Sequence, residues 1–236
     1  MPKRLTKALL VLLVSLACPC GQGCSSLTQG QMDLLAITSN DGGDPDRVDI
    51  RFGIARMVER NGDASGAKQQ YASILEQFPN HRDTQHRLGV VCIKLGQLPE
   101  AIGYLEAAAE APKPSAELLG DLGYAYYLDR DLGLAEEKLR EAILISPNDE
   151  RIVNNLAIVL GEQGHAEECL SLFRRVGSEA EAQANLGFVY STTGDLDRAK
   201  HHLHQALELD PNLEKAAKAL AEFSRVEQRE QPPVGS

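Results

Sequence analysis

The stretch that decides the fold is Gly187 to Pro211, GFVYSTTGDLDRAKHHLHQALELDP. Its marks Gly187, Gly194, Ala199, Ala206 and Pro211 stand 7, 5, 7 and 5 residues apart, and the same gaps recur in Ala55, Gly62, Ala67, Ile74 and Pro79. The first mark returns along the chain: Ala55, Gly89, Gly123 and Ala157 are 34 residues apart, and Gly187 follows 30 later. A period of this size signals stacked supersecondary units, each burying its apolar face only against its neighbours.

The residue types at these marks supply the geometry. Two helices of about 14 residues each, rising about 1.5 Å per residue, fit one period with short turns to spare. Gly62, Gly96, Gly164 and Gly194 fall between apolar periodic runs, where a left-handed helix stop favours glycine. The small first mark and the alanine that opens the second helix let the two helices approach closely, and Pro79, Pro147 and Pro211 close the second helix because proline cannot continue it. No strand-like alternation interrupts the pattern. The arrangement resembles the tetratricopeptide repeat. That resemblance implies an all-α, right-handed superhelix (an α-solenoid) of about five helix-turn-helix repeats with a C-terminal capping helix.

The units read as 48–81, 82–115, 116–149, 150–179 and 180–213. Unit two displaces its closing proline to Pro112 and Pro114, and unit three carries Arg130 in place of the turn glycine. Unit four has Cys169 where alanine is usual and lacks four residues, so its second helix is expected to be short, tilting unit five against it. A capping helix over 213–227 would place Leu213, Ala217, Leu220 and Phe223 on its apolar face, and the polar remainder 228–236, with Pro232-Pro233, reads as a disordered tail.

The N-terminus carries Lys3, Arg4 and Lys7 before an apolar run from Ala8 to Ala17, the pattern of a secretory signal over residues 1–17. Ser15-Leu16-Ala17-Cys18 resembles a bacterial lipobox, with Ser15 standing where leucine is usual and Pro19 following the cysteine. Gly23-Cys24-Ser25 is the alternative junction. Cys18 is favoured because it ends the apolar run directly; an ordinary secreted chain cut near Ala17 is the competing reading. Lipidation would anchor the chain to a membrane, with 18–47 as an acidic, flexible linker. Neither junction is followed by aspartate, so the resemblance implies the outer membrane of a bacterial envelope, on its periplasmic face.

The formal charge is -10, and it becomes -13 once Lys3, Arg4 and Lys7 are removed. So acidic a chain is ill suited to tracking phosphates, and no nucleic-acid partner is expected. Cys92 and Cys169 fall at buried helix positions and read as free core thiols. Cys18, Cys20 and Cys24 are explained by the signal better than by a metal. His201, His202 and His204 read as polar surface around a buried Leu203, and the pairs Glu136-Glu137 and Glu167-Glu168 as solvated faces. His165 with Cys169 lacks an orienting acid. No phosphate loop is present, and neither an enzyme nor a cofactor or metal is expected.

In the family the first helices of the units line the concave surface. Projecting them at 3.6 residues per turn gives Val90, Ile93, Tyr124, Tyr127, Ile158 and Phe188 as an apolar trough additional to the core leucines Leu88, Leu122, Leu156 and Leu186. An extra apolar stripe calls for a partner or a covering segment; Met32 to Ile37 of the linker is one candidate cover. The family's lysine and asparagine clamp for a terminal carboxylate has no counterpart in this row. An amphipathic helix or an apolar extended segment is the better ligand. The stretch Asn154-Asn155-Leu156-Ala157, Gly164, Arg174 to Ala182 and Asn185-Leu186-Gly187 is similar to TadD-type lipoproteins of tight-adherence (Flp) pilus assembly. This likeness implies help in assembling a pilus or secretion apparatus, with a secretin among the candidate partners; pilotin-like lipoproteins share the architecture. An envelope assembly factor or holdase for outer-membrane or cell-wall proteins is the alternative.

Overall fold

The computed structural model describes residues 45–110 and 112–230. The signal, both candidate lipidation cysteines, the Met32 to Ile37 segment and residues 231–236 lie outside the described residues. Eleven helices follow one another without a strand among the described residues: α1 (Pro45–Arg60), α2 (Ala64–Leu75), α3 (Arg82–Lys94), α4 (Leu98–Ala109), α5 (Ala116–Leu128), α6 (Leu132–Ile145), α7 (Glu150–Glu162), α8 (Ala166–Val176), α9 (Glu179–Thr192), α10 (Leu196–Leu209) and α11 (Glu214–Glu230). None of them is long and apolar enough to cross a membrane. Helices pair in sequence as five hairpins, and each hairpin stacks on the next. The result is the all-α repeat superhelix that the period implied.

Local chemistry starts and stops each helix. Asp63, Ser115, Asp131, Asp149 and Asp195 accept hydrogen bonds from first-turn amides, and Ser178 with Glu181 closes a reciprocal capping box on α9, satisfying amides that have no partner within the helix. The turns inside units one, two, four and five use glycines with φ between 72° and 89°, and Arg130 takes the same left-handed conformation at φ 68°. Its side chain makes an ion pair with Glu162 at 2.6 Å. The α8 helix, at 11 residues, is the shortest of the eleven, as the loss of residues in unit four required.

The hairpins close through the small first mark. A Cβ on Gly89 would lie 2.6 Å from Leu105 Cγ, one on Gly123 would lie 2.6 Å from Leu139 Cγ, and one on Gly187 would lie 2.9 Å from Leu203 Cγ. Units one and four carry Ala55 and Ala157 instead, and the residue at the matching place on the second helix is then aromatic, Tyr71 and Phe173. A flat ring can lie beside a methyl group where a branched leucine cannot. Gly161 makes a similar allowance, because a Cβ there would meet Val189 at 2.6 Å and the Cys169 sulfur at 3.0 Å. Cys92 and Cys169 are free, buried thiols.

Polar struts join successive units. Glu59 on α1 is buried and receives Arg87 and Lys94 from α3, the latter at 2.8 Å, and the Tyr71 hydroxyl at 3.0 Å. Asp121 on α5 holds His86 of α3 at 2.7 Å on one oxygen and Arg151 of α7 on the other. Arg140 spans Glu136 and Glu168, at 2.7 and 2.8 Å, so these carboxylates serve the joint between units three and four.

Three expectations need correction. The apolar face of α11 is Ala216, Ala219, Leu220 and Phe223 with Leu213 leading in, while Ala217 is exposed. Leu213 leads into the helix as the acceptor for the Ala216 and Ala217 amides, and the buried stripe is centred on Ala216, Ala219 and Phe223, which turns Ala217 outward. His202 is not simple surface: it is half-buried, stacks on Tyr190 at 5.3 Å and meets Gln183 at 2.8 Å. Burial and the neighbouring His201 lower its pKa. The helical limits also extend past those expected. Pro45 to Arg47 are already helical, and α11 continues to Glu230.

Burial on its own would raise the Glu59 pKa, but the hydrogen bonds from Arg87 and Lys94 and the charge of Arg87 outweigh it and hold the carboxyl down to about 2, from 4.5. A depressed folded pKa contributes stability that is present above the unfolded value and lost as pH falls toward the folded one. Urea titrations should show stability declining between pH 4.5 and about 2. Glu59→Gln should flatten that decline and lower stability at neutral pH by roughly 3 kcal/mol. In the same assay Gly123→Ala should lower stability by about 1–3 kcal/mol through overpacking against Leu139. Gly103→Ala, whose added Cβ meets nothing within 4 Å, should raise it by up to about 1 kcal/mol.

Candidate protein-binding cleft

The trough residues all project from the first helices of the units. Tyr124 and Tyr127, one turn apart on α5, stack with centroids 6.3 Å apart, and Tyr124 stays exposed at 36%. The Tyr127 hydroxyl donates to Glu162 at 2.7 Å, which fixes the ring against α7; burial and then Glu162 push its pKa up to about 12. Val90 and Ile93 on α3 are half-buried, and Ile93 packs against the core on both sides.

Tyr127, Ile158 and Phe188 meet around a cleft of about 300 Å³, together with Asn154, Phe173, Asn185, Val189 and Thr192. It opens between units four and five, where the period slips. Val90, Ile93 and Tyr124 do not line it, so the structure divides the trough into a cleft and an approach along α3 and α5. Phe188 also packs against the cluster beneath α11, which couples the capping helix to the cleft wall.

Sequence reasoning missed the polar residues of the cleft. Asn185 is held from the cap, its Oδ1 accepting from Lys215 at 3.2 Å, and the Thr192 hydroxyl donates to the Val189 carbonyl at 2.8 Å. Asn154 differs, because its Oδ1 is buried with no hydrogen-bond partner. An unpaired buried carbonyl costs about 1–3 kcal/mol. The signal was available as Asn154, two residues before Leu156, and Asn185, immediately before Leu186, in rows otherwise read for apolar content.

Other candidate chemistry resolves into packing. Burial raises the Cys169 thiol to about 12, so the nucleophilic thiolate is scarce at neutral pH. His86, Glu117 and Asp121 bring donor atoms within 4.8 Å of one another, a cluster the sequence reading did not single out. Both oxygens of Asp121 are already engaged by His86 and Arg151, and the group acts as a strut.

Comparison with known proteins agrees with this architecture. The tetratricopeptide-repeat family matches residues 58–120, 153–175 and 180–213, together about half of the chain. Anaphase-promoting complex subunit CDC16 of Saccharomyces cerevisiae is 23% identical over 180 residues, covering 72% of this chain and 21% of that protein. The chain therefore spans about a fifth of that relative's length. Among solved structures, YrrB, described as a tetratricopeptide-repeat protein with an unusual peptide-binding site, superposes with TM-score 0.58 at 22% identity over 72% of this chain and 90% of its own. PilF of Pseudomonas aeruginosa superposes with TM-score 0.56 at 15% identity over 74% of this chain and 82% of its own. The repeat marks, the paired helices and the family match agree: the chain belongs to the tetratricopeptide-repeat family, whose fold serves as a scaffold for protein–protein interaction.

Proposed function

We propose that this protein is an envelope-anchored scaffold that assists assembly of a pilus or secretion apparatus. In this reading it holds an amphipathic helix or apolar extended segment of a partner, a secretin being the leading candidate, along the trough of α3, α5, α7 and α9. The observation that carries the binding role is the cleft at units four and five: Ile158, Phe188 and Tyr127 offer apolar walls beside a buried carboxamide oxygen of Asn154 that has no partner. Such a site suits one large apolar side chain. Tyr124 and Tyr127, large and polar-tipped, are suited to act as anchors.

The envelope part of the reading rests on Lys3 to Ala17 followed by Cys18. The apparatus rests on the resemblance to TadD-type proteins around Asn154 to Gly187, and the fold shared with PilF is compatible with it.

Two measurements test the proposal. Capture from crosslinked bacterial membranes should recover pilus or secretin components with the wild-type chain. Tyr124→Ala and Asn154→Ala, with unchanged circular dichroism, should each reduce that recovery by roughly tenfold; unchanged recovery rules out the trough as the binding surface. Labelled palmitate should enter the wild-type chain and be lost with Cys18→Ala. Loss only with Cys24→Ala moves the anchor to the alternative junction, and no labelling at all removes the anchor.

A further inference from the structure

The repeat allows each position on α1 to be compared with its equivalents in later units. Ile50 corresponds to Thr84, Leu118 and Ile152 at the 34-residue spacing, and to Ala182 across the shortened unit; Met57 corresponds in the same way to Val91, Ala125, Val159 and Val189. Every one of these later residues is buried, none more than 6% exposed, whereas Ile50 is 53% and Met57 62% exposed. In the later units these positions face the preceding hairpin. On α1, nothing among the described residues covers them.

Gly53 lies between the two on the same face, and a Cβ there would meet nothing within 4 Å. Glycine inside a helix costs about 1 kcal/mol relative to alanine, and its bare backbone permits another helix to approach closely. Asp49 and Arg60 are both exposed. Eleven residues separate them, three helical turns, so they flank the apolar stripe on one side with opposite charges at its two ends.

This distribution is self-complementary in one orientation only. A second α1 lying parallel would leave these charges on opposite edges of the interface, out of one another's reach, because each flank then faces the partner's other flank. Antiparallel, it sets Ile50 against the partner's Met57, with the crossing at Gly53, and carries Asp49 toward the partner's Arg60. We propose that the open face of α1 is a self-association surface on which two copies of this chain pair antiparallel about a twofold axis near Gly53. Such an isologous interface uses the same patch twice. A face one helix long falls at the small end of protein interfaces, so the dimer forms and dissociates within the micromolar range.

Sedimentation velocity on the full chain, at low salt and over roughly 1 to 100 µM, tests this. The expected result is a concentration-dependent shift from monomer to dimer, abolished by Ile50→Asp with Met57→Asp. Both residues are exposed, so circular dichroism should show the helical content unchanged. Asp49→Arg and Arg60→Asp should each weaken the dimer about tenfold, and the two combined in one chain should restore it. A monomer throughout the range overturns the proposal, as does a dimer indifferent to the aspartates. A charge swap that fails to restore pairing overturns the antiparallel arrangement.

Discussion

The close approach of the two helices in each hairpin is the constraint on which the rest depends. Where the first helix offers glycine, at Gly89, Gly123 and Gly187, a leucine from the second helix fills the space a Cβ would need. Where it offers alanine, at Ala55 and Ala157, a tyrosine or phenylalanine ring replaces the leucine. The pairs are alternative solutions to one packing problem, and interiors packed to crystal-like density admit few others. Because the hairpins close in this way, each unit presents its neighbour with nearly the same surface, and stacking follows. The same regularity leaves the first helices with a second face to use.

On that second face, polar and apolar residues divide the work by position. Toward the N-terminal half, Glu59 with Arg87 and Lys94, and Asp121 with His86 and Arg151, bind one unit to the next. Ionised partners in such half-buried pairs are costly to strand, so these struts resist sliding between units. Toward the C-terminal half the face turns apolar at Ile158 and Phe188, and a cleft lies between α7 and α9, where the period slips. Phe188 ties that cleft to the cap through the cluster under α11.

Much of this was legible in the chain, and the misses share a cause. The short α8 followed from counting residues, and the left-handed turn at Arg130 followed from its place in the period, although the residue is unsuited to it. That Tyr127, Ile158 and Phe188 share a face was legible because a helical projection depends only on spacing. The carboxamide of Asn154 was passed over because whether an amide is satisfied depends on neighbours from other helices. Ala217 was misplaced for a related reason: Ala216 and Ala217 both lie near the stripe begun by Leu213, and packing against α10 decided that Ala216 is the one enclosed. His202 read as surface until α9 brought Tyr190 and Gln183 against it.

By itself, the sequence determined the helical repeat, the pairing of helices and where the turns between them fall, because these follow from spacings within about 34 residues and from what glycine, alanine and proline permit sterically. Only the tertiary structure decided which half-buried residues meet across units. It joined Tyr127 to Glu162, placed Phe173 and Val189 in the same cleft as Phe188, and left Ile50 and Met57 uncovered where every later equivalent is enclosed. The physical reason is that periodicity assigns a residue to a face, while contact between faces depends on how successive units stack and tilt, and unit four breaks the period that would otherwise have made this predictable.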